Sequence, residues 1–253
     1  MKKIILFATA FLFASCAYSS GESKNSKDNT RIEEVRNVKG FQSIALQGSS
    51  TIYYTQGETY SVKVVAPKRL MDKVKTELNG KTLVVYEKDD NAVNFFTSGK
   101  DSYINIYITS PDLVQVMLKG SGDFYSKGHL DTDNMNISLK GSGDIKFTDI
   151  ICDNIQTELV GSGDIELDNV DAMTSKVSLT GSGNIDVKQK NVKQTGIMLK
   201  GSGDIDMMFS NCGAVKSELK GSGDVTLKGS IRSLDKDKLG SGDYNTGSLT
   251  IKP

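Results

Sequence analysis

Along the second half of the chain, apolar and polar residues alternate, and the alternation returns in frame about every 20 residues. One apolar column reads Phe124, Ile145, Ile165, Ile185, Ile205, Val225 and Tyr244; two residues on, another reads Ser126, Phe147, Leu167, Val187, Met207, Leu227 and Thr246. Between them stand Tyr125, Lys146, Glu166, Asp186, Asp206, Thr226 and Asn245, which are mostly polar. A third column, Leu118, Leu139, Leu159, Leu179, Leu199 and Leu219, precedes these, with Leu239 one place out of frame. Alternation of period two marks strands with one buried face. Gly-Ser-Gly-Asp punctuates them at Gly120, Gly141, Gly161, Gly201, Gly221 and Gly240, and Gly-Ser-Gly-Asn at Gly181, with intervals of 21, 20, 20, 20, 20 and 19. Gly48-Ser49-Ser50-Thr51 is a degenerate forerunner in a similar frame.

A 20-residue unit is too short for a βαβ crossover, which needs about 30 residues. It also lacks the spacing of a leucine-rich repeat. Two or three short strands per unit, stacked in phase, make one coil of a parallel β-solenoid, each apolar column becoming an interior stack at about 4.8 Å per coil. A β-sandwich of short strands is the alternative, but it gives no reason to hold one residue type in phase over seven units. Cys152 and Cys212 test the choice, because the solenoid puts them in one column three coils apart, about 14 Å. A disulfide needs Cα atoms within about 7 Å, so both thiols are expected free.

Residues 35–119 alternate less regularly, with strand-like runs at Thr51–Tyr54, Val62–Val65, Leu83–Tyr86 and Tyr103–Ile108. Pro67–Leu78 carries Leu70, Val74 and Leu78 at helical spacing and stops at Asn79-Gly80, which predicts a helix. This half is expected to cap the regular stack of residues 120–253, since a bare end coil exposes apolar surface and unpaired backbone.

Composition adds exclusions. The 31 basic and 31 acidic side chains cancel, and four arginines leave no electrostatic footprint for nucleic acid. Three cysteines make no disulfide scaffold. At the N-terminus, Met1-Lys2-Lys3 precedes an eleven-residue apolar run, Ile4–Ala14, too short to span a bilayer, which takes about 20 residues. Residues 1–15 read as a cleavable export signal. The run ends in Phe13-Ala14-Ser15-Cys16, which resembles a bacterial lipoprotein signal; that resemblance implies lipidation of Cys16, and Ala17 resembles the class destined for the outer membrane. Residues 16–34 are mostly small and polar and read as a flexible tether.

The pattern resembles the head-GIN-domain family of auto-transporter adhesins. The resemblance rests on Phe41-Gln42-Ser43-Ile44-Ala45-Leu46-Gln47-Gly48, on Ser110-Pro111-Asp112-Leu113 before the first repeat, and on the Gly-Ser-Gly-Asp series. It implies an all-β chain wound as a right-handed, single-stranded parallel β-helix with about 20 residues per coil.

The motif itself admits two chemistries. Asp123, Asp144, Asp164, Asp204, Asp224 and Asp243, with Asn184, stack into an acidic ladder, a metal candidate because oxygen ligands suit Ca²⁺. The reading adopted is structural: each aspartate bonds the backbone of its own turn, and Asn184 keeps the acceptor while dropping the charge. A phosphate loop would need a helix after the glycines, and a strand follows. The sole histidine, His129, reads as a surface residue, so no nucleophile has a base. Neither a catalytic residue nor a cofactor is expected. Nine of the fifteen aromatics after residue 15 fall in residues 35–119, and Phe95-Phe96 sit in a polar stretch, either folding back as a cap or binding a ligand. The sequence therefore points to a lipid-anchored, non-enzymatic adhesin or binding protein of the bacterial outer membrane, facing periplasm or cell surface and meeting a glycan or another envelope protein. A periplasmic structural or signalling partner is the runner-up, and a glycan-degrading β-helix enzyme a remote third.

Overall fold

The computed structural model describes residues 30–88 and 103–252. They wind into a β-solenoid of about seven turns of roughly 20 residues each. The N-terminal end is built from β1 (Arg31–Val35), β2 (Ser43–Gly48), β3 (Thr51–Gln56), β4 (Ser61–Pro67), the single turn α1 (Lys68–Met71), β5 (Val74–Asn79), β6 (Thr82–Glu87) and β7 (Asn105–Ser110). The coils continue through β8 (Gln115–Gly120), β9 (Asp123–Asp131), β10 (Asn134–Gly141), β11 (Asp144–Gly161), β12 (Asp164–Gly181), β13 (Asn184–Lys190), β14 (Gln194–Gly201), β15 (Asp204–Ser210) and β16 (Ala214–Gly221). At the far end lie β17 (Val225–Ile231), β18 (Ser233–Gly240), β19 (Tyr244–Asn245) and β20 (Leu249–Ile251). Among the described residues no helix is long and apolar enough to cross a membrane.

Parallel pairing holds the predicted frame. Ile145 lies beside Ile165, Leu159 beside Leu179 and Gly161 beside Gly181, so each apolar column is continuous. The leucines of the third column are all buried. Within the stack, Tyr54, Phe124 and Phe147 follow one another at ring distances of 6.1 and 5.4 Å. The 21-residue interval is absorbed by a register shift between Phe147 and Asp149. The 19-residue interval is not absorbed inside β18, which keeps one constant offset from Ser233 to Gly240. Cys152 and Cys212 are free and buried, as the coil spacing requires.

The first glycine of each tetrapeptide makes the coils close-pack. Gly141 has φ +145°, and a Cβ there would stand 2.0 Å from the carbonyl oxygen of Gly120. Through this approach Ser142 N–H donates to Gly120 O at 2.9 Å, and the contact repeats as Ser162 N–H to Gly141 O at 3.0 Å. Gly48 begins the series, because it pairs with Gly120 and Thr51 with Asp123. Among the described residues no glycine carbonyl is offered to Ser49, and the Glu87 carboxylate takes that place. Ser49 N–H donates to its Oε1 at 3.4 Å, Ser49 Oγ donates to Oε2 at 3.1 Å, and Ser50 Oγ donates to Oε1.

The N-terminal end departs from a simple stack. Spatial order along one sheet is β6, β2, β8, and along the other β7, β3, β9. Strands β6 and β7 thus lie outside β2 and β3, whose other edges pair with β8 and β9. Antiparallel strands then close the end: β4 on β7, β1 on β4, and β5 on β6. The helix expected over Pro67–Leu78 is corrected here. Only Lys68–Met71 is helical, and Val74–Asn79 is a strand that turns at Gly80, φ +60°, back into β6. Asn-Gly between two alternating runs is a hairpin signal; Leu78, half exposed, belongs to no helical core face.

Candidate functional site

The aspartate ladder forms, with a different bonding pattern from the one expected. Asp144, Asp164, Asn184 and Asp204 are register partners in turn. The carboxylates of Asp123, Asp144, Asp164, Asp204 and Asp224 reach across to the backbone of the next coil rather than into their own turns. Asp123 Oδ1 accepts from Asp144 N–H at 3.2 Å, Asp164 Oδ1 from Asn184 N–H at 3.1 Å, Asp204 Oδ1 from Asp224 N–H at 2.8 Å, and Asp224 Oδ1 from Asp243 N–H at 2.9 Å. The N–H groups of the tetrapeptide point toward the preceding coil, as Ser202 and Gly203 do to Gly181 O and Asp204 to Gly183 O, so a side chain one coil back is better placed to accept than the turn's own. Among the described residues no group of three or more His, Cys, Asp or Glu is placed to hold a metal ion.

Stacked charge leaves a trace. The Asp144 carboxyl is pushed above its ordinary value, first by partial burial and then by Asp123 and Asp164. Folding therefore disfavours its ionised form relative to the unfolded chain. The stability it adds is present below the unfolded value and is lost as pH rises through the raised folded value. Asp144→Asn keeps the acceptor and drops the charge, so at pH 7 it is expected to leave stability unchanged or raise it, within about 0.5 kcal/mol. Asp144→Ala, which removes the hydrogen bond, is expected to cost about 1 kcal/mol. Urea unfolding at pH 7 and pH 3 checks both, and any advantage of Asp144→Asn should fade at pH 3, where wild type is protonated too.

The remaining expected residues fall as follows. His129 lies on β9 with Nδ1 2.6 Å from Asp149 Oδ2, half exposed on the solenoid flank. Burial raises the Cys152 thiol to about 12 and pushes Cys212 up as well, so both stay protonated. Cys16, Phe95 and Phe96 lie outside the described residues.

A different feature gathers at the N-terminal end of one face. The outward column that holds Lys146, Glu166 and Asp186 in the regular coils becomes Tyr125, Tyr53 and Tyr107 here, three register partners in adjacent strands. Their rings stack at 5.3 Å for Tyr53–Tyr107 and 5.8 Å for Tyr53–Tyr125. Lys63 Nζ sits 5.2 Å from the Tyr107 ring centroid and closes one end of the row. Two residues earlier on the same strands, Asn105, Thr51 and Asp123 form a second row in register. Successive side chains of one strand face opposite ways and i, i+2 share a face, so the two rows run side by side. Together they floor a groove of about 500 Å³, rimmed by Arg31 and Tyr103. Arg31 fixes that rim, donating through its guanidinium to Tyr103 O at 2.8 Å and Val65 O at 3.1 Å. The Tyr125 phenol is held above its usual value by burial and by the charges of Asp123 and Asp144, which keeps it a donor. Sequence reading did not find this groove. Its strands are offset by 54 and 72 residues, neither a multiple of 20, and the signal available was the concentration of tyrosine in residues 35–119.

Comparison with known proteins places the fold. The family model described as "Putative auto-transporter adhesin, head GIN domain" matches residues 40–230 and again 174–252. A crystal structure of a putative adhesin from Bacteroides fragilis is 25% identical, with a TM-score of 0.76 over 87% of this chain and 98% of that one. A putative adhesin from Parabacteroides distasonis is 18% identical with a TM-score of 0.71 over 87% and 98% of the two chains. A second protein from that organism, described as a putative lipid binding protein, is 23% identical with a TM-score of 0.64 over 87% and 97%. These last two share the fold. No curated protein matches the chain. With the family model covering most of its length, the chain belongs to the head-GIN-domain family that this model describes.

Proposed function

We propose that the chain is a binding module of the bacterial cell envelope, anchored in the outer membrane through lipid on Cys16 and acting by binding rather than by catalysis. The observation that carries this reading is the tyrosine-lined groove, where the outward column of charged side chains gives way to three stacked tyrosines beside Asn105, Thr51 and Asp123. Aromatic side chains with polar groups beside them make a binding surface. The two described cysteines support the same side of the argument, since burial keeps them from thiolate chemistry. Family membership supports an envelope or surface setting. The fold suits the task, because a stack of coils holds side chains in fixed rows without the ordering cost a flexible loop would incur on binding.

The test uses the full chain in its native membrane. Wild type is expected to fractionate with the outer membrane and to be digested when intact cells are treated with protease. Cys16→Ser is expected to leave the membrane fraction. Protection from protease would replace surface adhesion by a periplasmic partner, and retention of Cys16→Ser in the membrane would overturn the lipid anchor.

A further inference from the structure

We infer that the groove is a saccharide site taking a short neutral glycan, an assignment that rests on the binding reading above. Three observations lead there. First, its floor is bipartite. The stacked tyrosines use their faces on one another, so they present ring edges and a line of phenol hydroxyls at strand spacing, about 4.8 Å. Beside them Asn105, Thr51 and Asp123 offer an amide, a hydroxyl and a carboxylate at the same spacing. A pyranose is built to match this: hydroxyls around its rim that both donate and accept, and C–H faces that pack on aromatic surface. Tyr103, 63% exposed at the rim, supplies that surface.

Second, the charge argues against a polyanion. Arg31 has two of its guanidinium nitrogens committed to backbone carbonyls, and Lys63 is paired with Glu33 at 3.3 Å. The carboxylate of Asp123 lines the groove, and the acidic ladder continues from it to Asp144. An acidic polysaccharide would meet like charge there, while a neutral sugar gains a strong acceptor. Third, the size fits. A groove of about 500 Å³ lies within the roughly 300–1,000 Å³ of small-ligand sites, and its floor spans three adjacent strands.

The chain has nine tyrosines and no tryptophan, and four of the nine line the groove, so a ligand there changes part of the tyrosine emission. Full-length chain carrying Cys16→Ser, secreted without lipid, is titrated with neutral hexose and N-acetylhexosamine trisaccharides and tetrasaccharides, with polygalacturonate and heparin as anionic arms. Saturable quenching by at least one neutral oligosaccharide is expected. Tyr107→Ala and Asn105→Ala should each weaken it at least tenfold, and Lys188→Ala, on a distant coil, should leave it unchanged. Tyr53→Phe, which keeps the stack, should weaken binding without lowering the melting temperature. Absence of quenching by any neutral sugar, quenching by the polyanions alone, or quenching indifferent to Tyr107→Ala and Asn105→Ala would each overturn the assignment. If those two variants still capture the same partner from envelope extracts as wild type, the groove assignment falls while the binding reading stands.

Discussion

Gly181→Ala is expected to destabilise the solenoid by about 4 kcal/mol or more, and Gly196→Ala to change it by less than about 1 kcal/mol, toward greater stability. Gly181 sits at φ +136°, and a Cβ there would stand 2.1 Å from Gly161 O and 3.0 Å from the carbonyl carbon and nitrogen of the same residue. Left-handed backbone alone costs an L-residue about 1–2 kcal/mol. The clash adds more, because the atom it meets is backbone and cannot swing aside. Nor can Gly181 retreat, since its own oxygen accepts from Ser202 N–H at 2.9 Å and Gly203 N–H at 3.1 Å. Relief would separate coils and break these bonds. Gly196 lies in the outward column between Lys176 and Lys216, with no atom within 4 Å of its added Cβ. Alanine there restricts the unfolded chain and meets nothing in the folded one.

The shape of the unfolding curve tests the mechanism further. Each coil touches only its neighbours, so stability is close to a sum of coil and interface contributions. A break at the middle of the stack is expected to lower the urea midpoint and also the slope, as the two halves uncouple. Equal costs at Gly181 and Gly196 would show that close approach of the coils is not what the glycines provide.

How much of this the sequence revealed depends on one property, the 20-residue period. Where the period holds, pattern becomes geometry: the Leu118–Leu219 column, the glycine turns and the free cysteines were all legible, because in-register parallel stacking turns sequence offset into spatial adjacency. Where the period lapses, adjacency is lost to the reader. Tyr53, Tyr107 and Tyr125 stack, yet excursions of irregular length separate them. Glu87 stands in for a missing glycine carbonyl at a site no repeat announces. The antiparallel strands β1, β4 and β5 have no counterpart in the regular coils, and helical spacing in Pro67–Leu78 was overridden by the Asn79-Gly80 hairpin. The aspartate ladder was half legible. Its stacking followed from the period, but the direction in which each carboxylate bonds depends on how N–H groups point along the axis, which residue identity does not record.

Lys236→Val with Lys238→Leu is expected to make the chain pair with a second copy through the C-terminal end of the solenoid. Constant register along β18 places Lys236 beside Ser217 and Lys238 beside Leu219, the positions that in every earlier coil belong to the interior columns. Leu239, 70% exposed, falls in the outward column instead. Shortening the last repeat by one residue thus moves the apolar column outward and sets two lysines, both exposed, at the register positions that continue the interior columns. They are held there: Lys236 Nζ lies 5.2 Å from the centroid of Tyr244, Lys238 pairs with Asp243 at 2.9 Å, and Tyr244 donates to Ser217 Oγ at 3.0 Å. Inward-placed charge on an edge strand is a recognised guard against strand-to-strand association, and β18 pairs with β16 alone among the described strands. Replacing both lysines restores an apolar end layer beside an open row of backbone donors and acceptors. Among the described residues the opposite end presents a different edge, the antiparallel β1 and β5, which carry Arg31, Glu33 and Glu34, and Lys75 and Glu77. Two C-terminal ends then meet about a twofold axis, which closes the assembly at two copies instead of extending it into a fibre. Sedimentation of the double variant at rising concentration is expected to show a monomer–dimer equilibrium absent from wild type. A variant that stays monomeric at millimolar concentration would show that Tyr244 alone caps the core, and growth beyond a dimer would show that the N-terminal edges pair after all.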